Sequence, residues 1–321
     1  MGDRIQTGAP AADETAEPST CPLCEAPLVP RWAPVIDPQT RETFTIRGCS
    51  GCGVGVTTPM PQDLGRYYGA EYYGEGKRHG ITERFRFAQR VRHLQAARPH
   101  PGRVLDLGCG SGAFLLAAQQ AGWQGIGTDR GEAAEIARSR GVEVQDCAAD
   151  VPGSVDAVTA WHSLEHFPDP AAELHAARAK LASDGRLIVA VPDAGGWQAR
   201  LHGRFGFALD VPRHLFHFDR GSLARLLDET GFEVLGFHHQ EIEYDVFGWM
   251  QSTLNAVLPT PNLLFGRLTG AAVRGRRGEW PASLLAGALL FPPAVALTLA
   301  STAARRGGTL IAIARPKDAT P

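Results

Sequence analysis

The sequence predicts an α/β chain built on a doubly wound, mostly parallel sheet. A small metal-binding module precedes it, and an apolar helical insertion interrupts it before its last strand. Three observations carry that expectation. Short apolar runs alternate with helix-length segments from residue 103 to residue 238, the pattern of strands joined by helices that cover both faces of a parallel sheet. Two Cys-x-x-Cys pairs, Cys21/Cys24 and Cys49/Cys52, stand near the start. Residues 282–304 (ASLLAGALLFPPAVALTLASTAA) carry no charged side chain.

The bulk properties set bounds. A length of 321 residues suits one large or two modest domains, and an apolar fraction of 44% is that of a globular chain. A formal net charge of −2 exerts no global pull on nucleic acid. Residues 1–18 (MGDRIQTGAPAADETAEP) hold no apolar run of the kind a secretory signal needs. They read as a disordered tail that cannot bury enough apolar surface to offset ordering.

Residues 19–62 form the metal-binding module. The two pairs are separated by 24 residues, and each folds into a tight knuckle whose thiolates face one ion. Four thiolates suit a tetrahedral Zn²⁺ in a reducing compartment, and with no open coordination position the ion is structural. Residues 63–101 are a connector and a leading helix. The Tyr/Gly stretch 66–76 (RYYGAEYYGEG) is followed by a helix over 82–97, capped by Thr82 and ended by Pro99 and Pro101. The core, 102–240, places strands at 103–107, 124–128, 142–146, 154–160, 186–191 and 232–238. Helices are expected over 112–121, 131–140, 170–182 and 220–230. Residues 241–308 are the helical insertion, and 309–316 the last strand.

The stretch Val104-Leu105-Asp106-Leu107-Gly108-Cys109-Gly110-Ser111-Gly112 runs from a strand through a glycine-rich turn into a helix. Glycines permit positive φ and close approach of a ligand, and a helix N-terminus offers unpaired N–H groups. A second strand follows about twenty residues on and ends in Asp129. In open α/β sheets such an acid reaches a ribose hydroxyl pair. Nicotinamide enzymes share this geometry but use a GxGxxG turn. A GxGxG turn preceded by an acid resembles the class I methyltransferases that use S-adenosylmethionine (SAM).

That resemblance implies a Rossmann-like sheet of seven strands whose last two form a hairpin. About seventy residues (241–308) separate those two here. It covers 103–240 and the last strand, 309–315 (TLIAIAR). It implies that Asp106 lies near the methionine amino group and that Gly108, Gly110 and Gly112 accommodate the methionine and ribose. Cys109 fills a variable position beside the pocket, Asp129 binds the ribose, and Trp161 and His162 wall the cofactor at the end of the fourth strand. Zinc-ribbon starts followed by a Pro-rich turn (Pro59-Met60-Pro61) and paired tyrosines are found in bacterial methyltransferases acting on sugars or secondary metabolites. Zinc ribbons also precede some RNA methyltransferases. The module's few bases (Arg31, Arg41, Arg47) and few aromatics (Trp32, Phe44) make it a poor RNA clamp.

For a hydroxyl acceptor the chemistry needs a base, and histidine suits that task near neutral pH. The candidates are His162, His166, His214 and His217. Arg213 is read as a surface salt bridge rather than an anion clamp. In the insertion, Pro292-Pro293 predicts a break and hence a helical hairpin. Its flanks are Arg274, Arg276 and Arg277 on one side and Arg305 and Arg306 on the other. The hairpin is expected to contact a membrane peripherally, cover the site, or form an interface. The function expected is SAM-dependent methylation, most often on oxygen, of a small-molecule or glycan acceptor that can be lipid-linked. The setting is the cytoplasm or the inner face of the membrane. The alternatives are a zinc-ribbon RNA methyltransferase, a non-enzymatic membrane-associated assembly factor on a SAM fold and, least favoured, a nicotinamide dehydrogenase.

Overall fold

The computed structural model describes residues 18–68, 81–270, 273 and 275–317. The N-terminal tail through residue 17, the Tyr/Gly stretch from 69 onward and the Arg274 flank lie outside the described residues. So does the side chain of the expected cap Thr82.

The core elements follow the alternation in the sequence. Helix α1 spans Ile81–Ala97, and then come β4 (Arg103–Leu107), α2 (Ala113–Gln120), β5 (Gln124–Thr128), α3 (Gly131–Ser139), β6 (Glu143–Gln145), β7 (Val155–Trp161), α4 (Pro170–Lys180), β8 (Leu181–Pro192), α5 (Trp197–His202), β9 (Phe216–His217), α6 (Arg220–Glu229) and β10 (Phe232–His238). The chain closes with α7 (Ile242–Val257), α8 (Leu263–Thr269), α9 (Glu279–Ala303) and β11 (Thr309–Pro316). Helix starts are set locally. Asp169 accepts from the N–H of Ala172 ahead of Pro170, and Asp219 and Ser222 form a reciprocal capping box on α6.

The main sheet has seven strands in the order β10-β11-β8-β7-β4-β5-β6. Strands β4 to β8 pair in parallel, and β11 runs antiparallel to both β8 and β10. Strand periodicity sorts the core into two layers. Leu187, Val189 and Val191 of β8 join Leu105, Leu107, Leu310 and Ala312 against Leu174 of α4 and Leu223, Leu226 and Leu227 of α6. Ile188 and Ala190 face the other way and join Val104 and Ile311 against Val91 and Leu94 of α1, Leu115 of α2 and Ala137 of α3. Helices on both faces make the sheet doubly wound, as expected.

The N-terminal module consists of β1 (Leu28–Ile36), β2 (Thr43–Cys49) and β3 (Gly55–Thr58). Its sheet is completed by a strand from the core, in the order β1-β2-β3-β9, with Gly55 paired to His217 and Val56 to Phe216. Cys21, Cys49, Val54 and Val56 share one apolar cluster with Leu215 and Phe216. Burying these residues together contributes of order 1.5–3 kcal/mol per large side chain, so the module is an extension of the core.

The insertion corrects one expectation. Residues 282–304 do not turn at Pro292-Pro293. Both prolines lie inside the single helix α9. Each removes one backbone donor, but no glycine or turn-forming residue adjoins them. Packing against α7, through Ala294, Trp249, Met250 and Leu254, carries the helix straight through. The antiparallel pairing expected within 282–304 is made by α7 and α9 instead.

Candidate functional site

The glycine turn after β4 lies at the carboxyl edge of the parallel strands, where ligands bind in open α/β sheets. Gly108 and Gly110 have φ of +67° and +54°, values that an L side chain rarely adopts. A Cβ on Gly108 would lie 2.6 Å from Ser163 Cβ, whereas one on Gly110 would point into open space. Backbone is therefore bare at Gly110. Its N–H donates to Asp129 Oδ2 at 2.7 Å, and the N–H of Arg130 donates to Asp129 Oδ1 at 2.7 Å. Burial raises the pKa of Asp129. Gly112 caps α2 in the left-handed region.

Asp106 is buried, and its Oδ1 accepts from Thr159 Oγ1 at 2.6 Å. Burial pushes its pKa up to about 7, with Thr159 and Arg90 opposing and Asp129 adding to the rise. The Cys109 side chain turns into the apolar layer beneath α2, so close to Gly127 that a Cβ there would lie 2.4 Å from the sulfur. Trp161 ends β7. It sits edge-on to Phe114 at 5.5 Å and beneath the Arg90 guanidinium at 5.2 Å. Its buried indole nitrogen has no hydrogen-bond partner among the described residues.

The four candidate histidines separate cleanly. His162 has φ of +52° and sits between two carboxylates, with Nε2 at 2.7 Å from Glu241 and Nδ1 at 3.6 Å from Glu165. Burial alone would depress its pKa, but Glu165 and Glu241 overcome this and push it up to about 10. A histidine protonated at neutral pH is no proton acceptor, which corrects its place among the bases. His217 is also corrected. It lies within β9, and Nε2–H donates to Thr57 Oγ1 at 2.9 Å, whose hydroxyl donates in turn to the carbonyl of His214 at 2.6 Å. It pins the N-terminal sheet to the core.

His166 and His214 remain, edge to face at 4.6 Å. His166 and His162 do not share a helical face, because a short 3₁₀ turn, Leu164–His166, follows β7. Both line a cavity of about 360 Å³ with His162, Pro192, Tyr244 and Phe265. His214 Nδ1–H donates to the carbonyl of Ala208 at 2.8 Å. Burial, reinforced by His214, lowers His166 to about 4. Arg213 is fully buried rather than on the surface. It bridges Asp37 of the module at 3.1 Å and Asp210 at 2.6 Å.

Several residues escaped the sequence reading. Glu165 was adjacent to a named candidate. Glu241 and Arg90 pair at 2.7 Å across 151 positions, and no local signal marks them. Tyr244, on the insertion, lies against His162 with its ring tilted, 4.7 Å between centroids.

At the N-terminus, the Sγ atoms of Cys21, Cys24, Cys49 and Cys52 lie within 4.8 Å of one another, with Cys24 and Cys49 at 3.3 Å and Cys21 and Cys52 at 3.7 Å. Tetrahedral Zn–S bonds of about 2.3 Å place sulfurs about 3.8 Å apart. The N–H groups of Gly51 and Cys52 both donate to Cys49 Sγ at 3.3 Å, which favours a thiolate. The four residues fit a zinc ion.

A family model described as a methyltransferase domain matches residues 81–236. Over 98 residues the chain is 41% identical to a ubiquinone biosynthesis O-methyltransferase of Bordetella parapertussis, covering 27% of this chain and 40% of that one. Over 113 residues it is 37% identical to the protein of the same name from Xanthomonas campestris pv. campestris, covering 31% and 47%. The chain thus spans less than half the length of these curated relatives. A solved SAM-dependent methyltransferase from Thermotoga maritima is 20% identical with a TM-score of 0.43, over 74% of this chain and 92% of that one. The family match begins with α1 and runs into β10, spanning the glycine turn, both acids and the strands that carry them. Residues 81–236 are a methyltransferase domain.

Proposed function

We propose that the chain methylates an oxygen of a small-molecule acceptor held in the cavity beside the glycine turn. The observation that carries this is a juxtaposition. The bare backbone at Gly110 with Asp106 and Asp129, and the cavity bordered by His162 and Pro192, lie on the same carboxyl edge of one sheet. Asp106, Gly108, Gly110, Gly112 and Asp129 hold the cofactor, with Cys109 packed behind the turn and Trp161 and His162 as its wall. SAM supplies a methyl group already activated for in-line displacement. Orientation by the pocket supplies about 7–11 kcal/mol. Helices α7 and α8 exclude water through Tyr244 and Phe265. His166 and His214 present ring nitrogens to receive a hydroxyl proton. The two O-methyltransferase relatives support oxygen as the target. The mix of imidazole, carboxylate, amide and ring side chains in the lining suits a hydroxylated ring, whether sugar or aromatic. Zn²⁺ in the thiolate site is structural in this reading.

A membrane-borne acceptor is favoured by α9. This helix is long and apolar enough to cross a membrane by length and composition, and 22% of its most apolar stretch is buried. Its pattern is inverted. Ser283, Gly287, Thr298 and Ser301 face the protein, while Leu285, Leu289 and Phe291 are 65%, 70% and 54% exposed. Small residues inside and leucines outside suit lipid contact rather than water. Both ends are tied to the same body, through Glu279 to Thr260 and through the Arg306 carbonyl to Trp197, so α9 lies along the surface. Arg305 and Arg306 flank it, as anionic lipids require.

The experiment is incubation of the purified chain with methyl-labelled SAM and fractionated host extract. Label in the organic phase supports a lipid-borne acceptor, and label in the aqueous small-molecule fraction supports a soluble one. Label sensitive to nuclease, or no label together with no SAM binding by calorimetry, overturns the proposal.

A further inference from the structure

We propose that Glu165, His166 and His214 form a binding site for a divalent transition-metal ion at the wall of the cavity. One ligand atom from each lies within 4.8 Å of the other two. Glu165 is 1% exposed, and neither of its carboxylate oxygens has a hydrogen-bond partner among the described residues. An ionised group left so is costly unless something charged satisfies it. His162 Nδ1 lies 3.6 Å from it and His214 Nε2 3.9 Å, both long for hydrogen bonds. The His214 distance suits two ligands sharing one ion, because bonds of about 2.1 Å set ligand atoms about 3–4 Å apart.

Both imidazoles are oriented as metal-binding histidines are, with the other ring N–H donated to a carbonyl. His214 Nδ1–H goes to Ala208 O at 2.8 Å, and His166 Nδ1 lies 3.0 Å from Arg213 O, to which it donates when it carries the proton, and 2.8 Å from the Tyr68 hydroxyl. With the proton on Nδ1, each ring offers Nε2 to an ion. Two imidazoles and one carboxylate suit Mn²⁺, Fe²⁺, Co²⁺ or Zn²⁺, and three protein ligands leave positions open to the cavity.

Ion binding itself does not depend on the proposed activity, but its role in methyl transfer rests on that reading. With an ion bound, His166 and His214 are ligands rather than proton acceptors, and the ion makes a coordinated acceptor hydroxyl more acidic. The test is Mn²⁺ titration of the full chain with zinc on its thiolates, followed by the loss of the free-ion electron paramagnetic resonance signal. Thiolates take Mn²⁺ poorly, so the cysteine site does not compete. The expected result is one Mn²⁺ per chain. Glu165→Gln and His214→Ala should each weaken it at least about tenfold while SAM binding by calorimetry is retained. Should either variant fail to fold, pulsed spectroscopy of the unsubstituted protein with Mn²⁺ must show directly bound imidazole nitrogen. No ion beyond the zinc, equal affinity in both variants, or no nitrogen coupling would each overturn the proposal. Label transfer that persists undiminished without bound Mn²⁺ would overturn the ion's role in transfer and leave the methyltransferase reading standing.

Discussion

His162 shows how one side chain can be mistaken from sequence and explained by its neighbours. Its place after a strand, on the ligand side of the sheet, marks a base, yet Glu241 and Glu165 hold it as a cation. It continues a buried chain of alternating charge from Arg90 through Glu241. Removing one member of such a chain leaves a charge buried without its partner. His162→Gln should therefore lose about 3–5 kcal/mol in denaturant unfolding, and a loss below about 1 kcal/mol would mean that the carboxylates do not depend on it. Asp106 makes a prediction about pH. Burial holds its pKa at about 7, Thr159 and Arg90 work against that rise, and Asp129 adds to it. A cationic ligand head group needs the carboxylate, so SAM affinity should fall as pH drops below about 7, by up to about tenfold per unit. Asp106→Asn should bind more weakly and show a flat profile by calorimetry, and an unchanged slope would move the effect to another group. Asp106, Asp129 and the glycines were legible because a strand and its turn are contiguous in sequence. The Arg90–Glu241 pair was not, because only the folded topology brings α1 beside the start of α7.

Among the elements, β4 and β5 fall at their expected residues, β4 because an apolar run between Pro101-Gly102 and Gly108 leaves little choice. The strand expected over 142–146 narrows to Glu143–Gln145 at the sheet edge. The strand expected over 186–191 lengthens to Leu181–Pro192, shortening the helix before it to end at Lys180. Strand β9 was invisible because two residues, Phe216 and His217, carry no period. They become a strand only through pairing with β3. Helix α9 was misjudged for the opposite reason. A local rule about proline gave way to packing along α7, which a sequence window does not contain. Its inverted face leads to a test. Leu289 is 70% exposed, so Leu289→Asp should change unfolding free energy by no more than about 0.5 kcal/mol. The same change should sharply reduce co-sedimentation with vesicles containing anionic lipid. Equal sedimentation of parent and variant would remove lipid from the account of this helix and leave it as packing behind α7.

At the scale of the whole molecule, the cysteine module and the methyltransferase domain share one apolar cluster and one sheet. The module's sheet is closed by β9, its cysteines share an apolar cluster with Leu215 and Phe216, and Asp37 anchors the buried Arg213. Pro38 and Gln39 of the module line the cavity beside Arg213 and His214. The donor side is built differently. Cys109 and Phe114 pack in the opposite layer with α1, α2 and α3, in a cluster that holds no residue of the module. Zinc removal, by chelation or by Cys49→Ser, should therefore act unevenly. The thermal transition should stay single and shift down, because metal binding energy is folding energy in such a site. SAM affinity should change little, whereas turnover should fall by about a hundredfold as the acceptor wall moves by an ångström or so. Calorimetry and a methyl-transfer assay on the same zinc-depleted sample separate the two sides. A distinct early melting step would show the module to be an independent domain. Turnover unchanged after verified zinc loss would show that the acceptor wall does not rest on it.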